Sequence, residues 1–309
     1  MLTIEKFSNR MSFQCYILED LLSKNDFQSF QSYCCSYEHY VKLRISDRIK
    51  ETFFSASALC EFEKRHVQSC INRINAAIKR ATAEKTDSLK TFVEHICNDL
   101  GDKLVISQIA LDSFMVLNKA DQDQFADCLN KCVMEMEEAL RKKFTDTKFD
   151  EKLTHLRVKP QNELFVKVIG CGKQCPFCKV PCDAGGEAHT EHFASLHRPQ
   201  GLGRKRWVDS QKLTTDLCSS AVISDTCFRC SDTKGEWHPY KDYRKIYPDW
   251  KIQPDVSLEA SDYWKYVMNK YNEEFAKAYD AKLADIPASW KNITEEQAKE
   301  SLKKSFNIK

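Results

Sequence analysis

Glycine and proline divide this chain into two halves that cannot share one architecture. Residues 1–159 contain a single glycine, Gly101, and no proline, whereas residues 160–309 hold all eight prolines and the other seven glycines. A stretch that long without helix breakers folds most readily as helices. The second half must be assembled from turns and short elements. All five tryptophans, Trp207, Trp237, Trp250, Trp264 and Trp290, also lie there. The expectation is a mainly α chain, with a helical bundle over residues 1–159 and a small domain over 160–309, the boundary falling near Lys159-Pro160. At 309 residues there is enough chain for two cores.

Apolar spacing supports the helices. Phe125, Cys128, Leu129, Cys132, Val133, Met136 and Leu140 recur as one helical face, and Asp121 with Gln124 resembles its capping box. Leu89, Phe92, Val93, Ile96 and Leu100 form a second stripe, ended by Gly101 as a C-cap. Val67, Cys70, Ile71, Ile74 and Ile78 form a third, and one long helix is expected to run from Phe27 through Val41 toward Ile49. The eight cysteines of this half mostly sit on these stripes and read as small buried hydrophobes. Further on, alternation between Lys212 and Ser231 predicts a short hairpin, Ser257 to about Lys282 reads as a helix, and Thr294-x-x-Gln297 caps a last helix.

The strongest chemical signal lies between Cys171 and His197, where 27 residues hold four cysteines and three histidines. Cys175-Pro176-Phe177-Cys178 and the pair His192 and His197 are separated by 13 residues. Close thiolate and imidazole pairs at this spacing suit a tetrahedral zinc ion, each pair supplying half of the site. Cys175, Cys178, His192 and His197 are the favoured ligands, with Cys182, His189 and Cys171 as alternates. A looser second set is Cys218, Cys227, Cys230 and His238. Four protein ligands leave no position for substrate, so the expected role is structural.

Ligand order argues against catalytic zinc. A deaminase needs H-x-E ahead of P-C-x-x-C, but His189-Thr190-Glu191 follows the cysteines, and Gly185 stands where Pro181-Cys182 would need a second thiol. A metalloprotease H-E-x-x-H is absent, since Glu191 precedes His192 and residue 196 is leucine. A cross-braced ubiquitin-ligase finger lacks its central C-x-H portion. Nor is there a phosphate loop: around Gly172-Lys173, position 167 is lysine and position 174 is glutamine.

Charge and hydropathy narrow the partners. With 47 basic and 45 acidic residues, a net charge of +2 makes no global case for nucleic acid or an anionic membrane. No run approaches the ~18 apolar residues of a membrane span, and Met1–Asn9 carry no apolar signal core. Fifteen cysteines without a secretory signal point to a reducing compartment. Arg204-Lys205-Arg206 beside Trp207 is a local exception that can touch phosphate and stack on a base.

Several stretches together resemble the C-terminal region of the interferon-induced very large GTPases. They are Cys171-Gly-Lys-Gln-Cys-Pro-Phe-Cys-Lys-Val-Pro-Cys182, the histidines 189, 192 and 197, Arg198-Pro199-Gln200-Gly201-Leu202, and Gly235-Glu-Trp-His-Pro-Tyr-Lys-Asp-Tyr243. The likeness covers roughly Phe165 to Phe306 and implies a cytosolic and nuclear, interferon-induced protein whose GTP-binding domain lies upstream. None of that domain's phosphate-binding residues can be carried over here, so a C-terminal piece or a truncated gene product is implied.

The combined expectation is a non-enzymatic module, a helical bundle followed by a zinc-stabilised α+β domain with a short hairpin and C-terminal helices. It would serve assembly or protein-partner binding in the cytoplasm, with the nucleus as a second location, in an innate-immune setting. A nucleic-acid-binding zinc module using Arg204, Lys205, Arg206 and Trp207 is the alternative, and a GTPase or ubiquitin ligase is disfavoured.

Overall fold

Several helices begin where a side chain caps the first turn. The computed structural model describes residues 9–53, 56–86, 88–101, 121–186 and 188–308. Helix α1, Arg10–Lys24, starts where the Asn9 side chain accepts from the Ser12 N–H and stops at Asn25 in the left-handed region, φ 50°. Asp26 caps α2, Phe27–Cys35, and α3 spans Tyr37–Phe53. These last two replace the single long helix expected from Phe27 to Ile49. The chain breaks at Ser36, φ −138°, whose carbonyl accepts the Tyr40 N–H and so starts the next helix. The break has a packing reason: the Cys34 carbonyl accepts from the Gln174 side chain at 3.1 Å and from Arg198 at 3.5 Å.

Packing divides the chain into Met1–Arg48 with Val158–Lys309 as one unit, and Ile49–Arg157 as the other. The helices of residues 9–48, which composition groups with the glycine-poor half, therefore pack with the C-terminal half. Aromatic contacts account for this: Phe27 meets Phe275 at 4.9 Å between ring centroids, Phe30 meets Tyr271 at 5.2 Å, and the Tyr263 hydroxyl donates to the Leu18 carbonyl.

In the Ile49–Arg157 unit, α4 (Ala56–Ala83) packs against α5 (Leu89–Leu100) and α6 (Gln122–Asp146). The short α7 covers Phe149–His155. Val67, Ile71, Ile78, Phe92, Ile96, Phe125 and Val133 form its core. Gly101 ends α5 at φ 61°, and the Asp121 side chain accepts from the Gln124 N–H. The cysteines depart from expectation. Cys15 and Cys34 are buried, Cys35, Cys60, Cys70 and Cys97 are half-buried, and Cys128 and Cys132 are exposed. Helix α6 buries Phe125, Ala126 and Val133 and leaves its two thiols exposed.

In the other unit, α8 (Pro160–Ile169) opens with proline in its first turn and closes at Gly170, φ 91°. The strands are two residues each: β1 (His192–Phe193) pairs in parallel with β4 (Trp250–Lys251), and β2 (Cys227–Phe228) pairs antiparallel with β3 (His238–Pro239). The first strand of this hairpin falls inside the stretch 212–231 that alternation suggested and the second beyond it, while Cys218–Ala221 within the stretch forms a helical turn, α9. The helix expected over 257–282 is likewise two, α10 (Asp262–Lys270) and α11 (Asn272–Ala278), broken at Tyr271. Residues beyond 278 are needed elsewhere, for Lys282 bridges to Lys212. After α12 (Ala288–Lys291), α13 (Glu295–Ser305) starts with the complete Thr294/Gln297 capping box. Among the described residues, no helix is long and apolar enough to cross a membrane.

Candidate metal centres

The backbone between Cys171 and Cys182 folds as one turn nested inside another. Cys175 N–H donates to Val180 O at 2.8 Å, Lys179 N–H to Cys175 O at 3.0 Å, and Cys182 N–H to Lys173 O at 2.8 Å. Lys179 takes a positive φ of 62° to close the inner turn. Cys175 and Cys178 therefore sit at the tip of the turn, and Cys171 and Cys182 sit together at its base. This nesting sorts the seven candidate ligands. Cys171, Cys182, His189 and His192 form one group, and Cys175, Cys178, His197 and Cys218 form another; within each, the ligand atoms lie within 4.8 Å of one another.

The set Cys175, Cys178, His192 and His197 is thus not one site here: His192 joins the base group, where strand β1 fixes it beside Trp250. Its place in the tip group is taken by Cys218, the first residue of α9. The other members of the looser set join neither group. Cys227 is exposed, Cys230 Sγ lies 3.2 Å from the Tyr247 hydroxyl, and His238 packs beside the Phe228 ring.

The spacings suit tetrahedral coordination. Metal–ligand arms of ~2.0–2.3 Å give tetrahedron edges of ~3.3–3.8 Å. In the tip group, Cys175 Sγ and Cys218 Sγ are 3.8 Å apart, and Cys178 Sγ and His197 Nδ1 are 3.2 Å apart. In the base group, Cys171 Sγ is 3.7 Å from His192 Nδ1, Cys182 Sγ is 3.6 Å from His189 Nε2, and the two histidine nitrogens are 3.0 Å apart. All four tip residues are buried, whereas Cys171 and His189 of the base group are half-buried. His192 also faces the Asp249 carboxylate at 3.6 Å through Nε2, the kind of outer partner that orients a ligating imidazole.

Electrostatics in the tip group favour a thiolate beside an imidazolium. Burial pushes the Cys178 thiol up, but hydrogen bonds from Cys175 and Cys218 and the His197 imidazolium bring it well below the ordinary value. Burial opposes a charged His197, yet the neighbouring Cys178 thiolate raises it to about 10. Cys218 is driven the other way, well above its ordinary value, first by burial.

The residue after His197 completes the charge balance. Three thiolates and one imidazole around a divalent cation leave one net negative charge, whereas the two thiolates and two imidazoles of the base group leave none. Arg198 is fully buried beside the tip group and has no carboxylate partner among the described residues. Its Nε donates to Cys178 O and its Nη2 to Lys179 O, both at 2.7 Å, and the guanidinium lies 4.9 Å from the Trp264 ring centroid. It holds the inner turn in shape and places a cation against the thiolates. Gly203 contributes by absence of bulk, since a Cβ there would overlap the Phe177 carbonyl and meet Cys178 at 3.0 Å. Composition gave no functional hint of either Arg198 or Gly203; Arg198 stands in a stretch that carries the family resemblance, and for Gly203 proximity to the cluster is the signal that could have found it.

The basic run lies on the surface next to this centre. Arg204 is 5.2 Å from the Tyr279 ring, Arg206 donates to the Asp280 carbonyl, and the Lys205 ammonium sits 5.4 Å from Phe177 and 5.6 Å from Phe228.

Residues 171–302, which contain both ligand groups, match the family model described as the C-terminal domain of interferon-induced very large GTPase 1. That stretch is similar to the C-terminal domain of the very large GTPase family. Similarity extends over 96% of the chain to the human interferon-induced very large GTPase 1, at 25% identity, and to its mouse counterpart at 24%. The chain spans 12% of the length of each of these relatives. No solved structure matches. The ligand groups thus lie wholly inside the matched domain, and the very large GTPase match begins on the first ligand, Cys171.

Proposed function

We propose that this chain is a non-catalytic module, its C-terminal domain held together by two structural zinc ions, that serves protein assembly or partner binding within a very large GTPase. The observation that carries the metal reading is the convergence of two Cys/His tetrads at tetrahedral spacing. Zinc is the natural occupant because thiolate-rich, four-ligand sites with borderline-soft donors favour it. Both sites are closed by protein ligands, which supports a structural role. The lack of a phosphate loop around Gly172-Lys173 supports a part without GTPase activity of its own. Thiolate sites persist in reducing compartments, which agrees with a cytosolic or nuclear setting.

The binding role draws support from α6. Its apolar pattern reads as one buried face, yet Cys128, Cys132 and Met136 are exposed. Such a strip suits a protein partner or a second copy. Size-exclusion chromatography with light scattering tests this on the 309-residue chain and on a Cys132→Glu/Met136→Glu variant. Concentration-dependent association, or capture of a chain partner, that the variant loses supports the reading. An inert monomer that behaves as the variant does removes the assembly role. GTP hydrolysis by the chain alone would remove the non-catalytic one.

A further inference from the structure

A cavity of about 490 Å³ opens beside the tip group, between the inner turn, the basic run and the β2–β3 hairpin. Five cations line it: Lys179, Arg204, Lys205, Arg206 and Arg229. Two carboxylates, Asp216 and Asp232, also line it, so positive charge exceeds negative by three at this one place. The whole chain carries only +2. Asp232 is already engaged by the Tyr247 hydroxyl at 2.7 Å. Arg204, Lys205 and Arg229 rest on rings and Arg206 on a backbone carbonyl, and none of the five makes an ion pair with a carboxylate among the described residues. Like charges gathered without carboxylate partners repel one another, and a bound anion relieves that repulsion.

The second observation concerns shape. Trp207 and Trp237 both line the cavity, and each indole is 46% exposed. The Arg229 guanidinium covers one face of Trp237 at 4.9 Å, leaving the other for a second planar group. Exposed indoles beside cations are the pairing that holds a base and its phosphate. The volume is of the order of a small-ligand site, about 300–1,000 Å³.

We infer that this cavity is a nucleotide-binding site, taking phosphate on Lys205 and its neighbouring arginines and stacking a base on Trp237 or Trp207. The nucleotide is either free or one unit of a single strand. A phosphoserine peptide offers the charge but no flat ring for the indoles. None of the residues assigned here is a ligand in either metal group, so the site can fail while the metal reading stands, and the reverse.

Isothermal titration calorimetry on the 309-residue chain tests it, with AMP, inorganic phosphate, free phosphotyrosine and a twelve-residue oligothymidylate as probes. AMP should bind at ~1 mM or tighter, and inorganic phosphate at least about tenfold more weakly, because one stacked base contributes about that factor or more. Lys205→Met and Trp237→Ala should each weaken AMP about tenfold while the metal content stays that of the parent. An oligothymidylate that binds more tightly than AMP, with affinity falling as salt rises, assigns the site to a strand. Equal affinity assigns it to the free nucleotide. No binding of AMP or oligothymidylate overturns the inference, as does phosphotyrosine binding as tightly as AMP, or binding untouched by both substitutions.

Discussion

Replacing Arg198 by methionine separates the two tasks the structure gives this buried cation. Methionine fills a similar volume and removes the guanidinium from its contacts with Cys178 O and Lys179 O, each at 2.7 Å. Lys179 O keeps its bond from the Gln174 side chain at 2.6 Å, so one buried carbonyl, Cys178 O, is left unsatisfied at a cost of ~1–3 kcal/mol. The contact with the Trp264 ring is lost as well, and burying methionine rather than a charge recovers part of the total, so the net loss should be about 2 kcal/mol. In a unit of this size that lowers Tm by about 4–8 °C, read by circular dichroism with zinc in excess. The lost counter-charge should also weaken zinc by ~10–100-fold, the usual effect of removing an outer partner of a metal site. Competition with a chromophoric chelator measures that. Arg198→Lys keeps the charge but cannot fork to both carbonyls, so zinc affinity should return toward the parent's while Tm stays depressed. A methionine variant with Tm within about 2 °C of the parent and unchanged zinc affinity would refute the reasoning.

Further outcomes follow from the same geometry. Cys218→Ser should lower the metal content by one ion per chain, and Cys230→Ser, outside both groups, should leave it unchanged; elemental analysis reads both. In metal-free protein, His197 is raised from 6.5 to about 10, chiefly by the Cys178 thiolate against the opposing effect of burial. Its contribution to stability should therefore be complete below pH 6.5 and fade as pH rises through about 10; an imidazole titrating near 6.5 by NMR contradicts this. Gly203→Ala pushes a methyl into the backbone of Phe177 and Cys178, which cannot yield as a side chain can. Chemical denaturation should show a loss of ~1–3 kcal/mol.

Much of this architecture was legible because its signals are local. The stop at Gly101 and the caps at Asp121 and Thr294 need only neighbouring residues, and each lies where its element begins or ends. The breaks at Ser36 and Tyr271 are not local, since they answer to distant partners such as Arg198 and to aromatic packing. The ligand residue types were visible in the spacing, but their grouping was not. A linear count pairs Cys175 and Cys178 with the histidine pair as a whole, whereas nested turns send His192 to one tetrad and His197 to the other. The place of Cys218 in the tip tetrad was hidden by its distance from the cluster, and the exposure of Cys128 and Cys132 by α6 burying few residues, Phe125, Ala126 and Val133.

The most direct test of the account is the number of zinc ions bound by the purified 309-residue chain, counted by native mass spectrometry and checked by elemental analysis. Two ions per chain, falling to one with Cys218→Ser and to one with His189→Ala, is the predicted result. A single ion lost by either substitution would mean that the two tetrads are one site, and no stoichiometric zinc would contradict the metal-stabilised fold altogether.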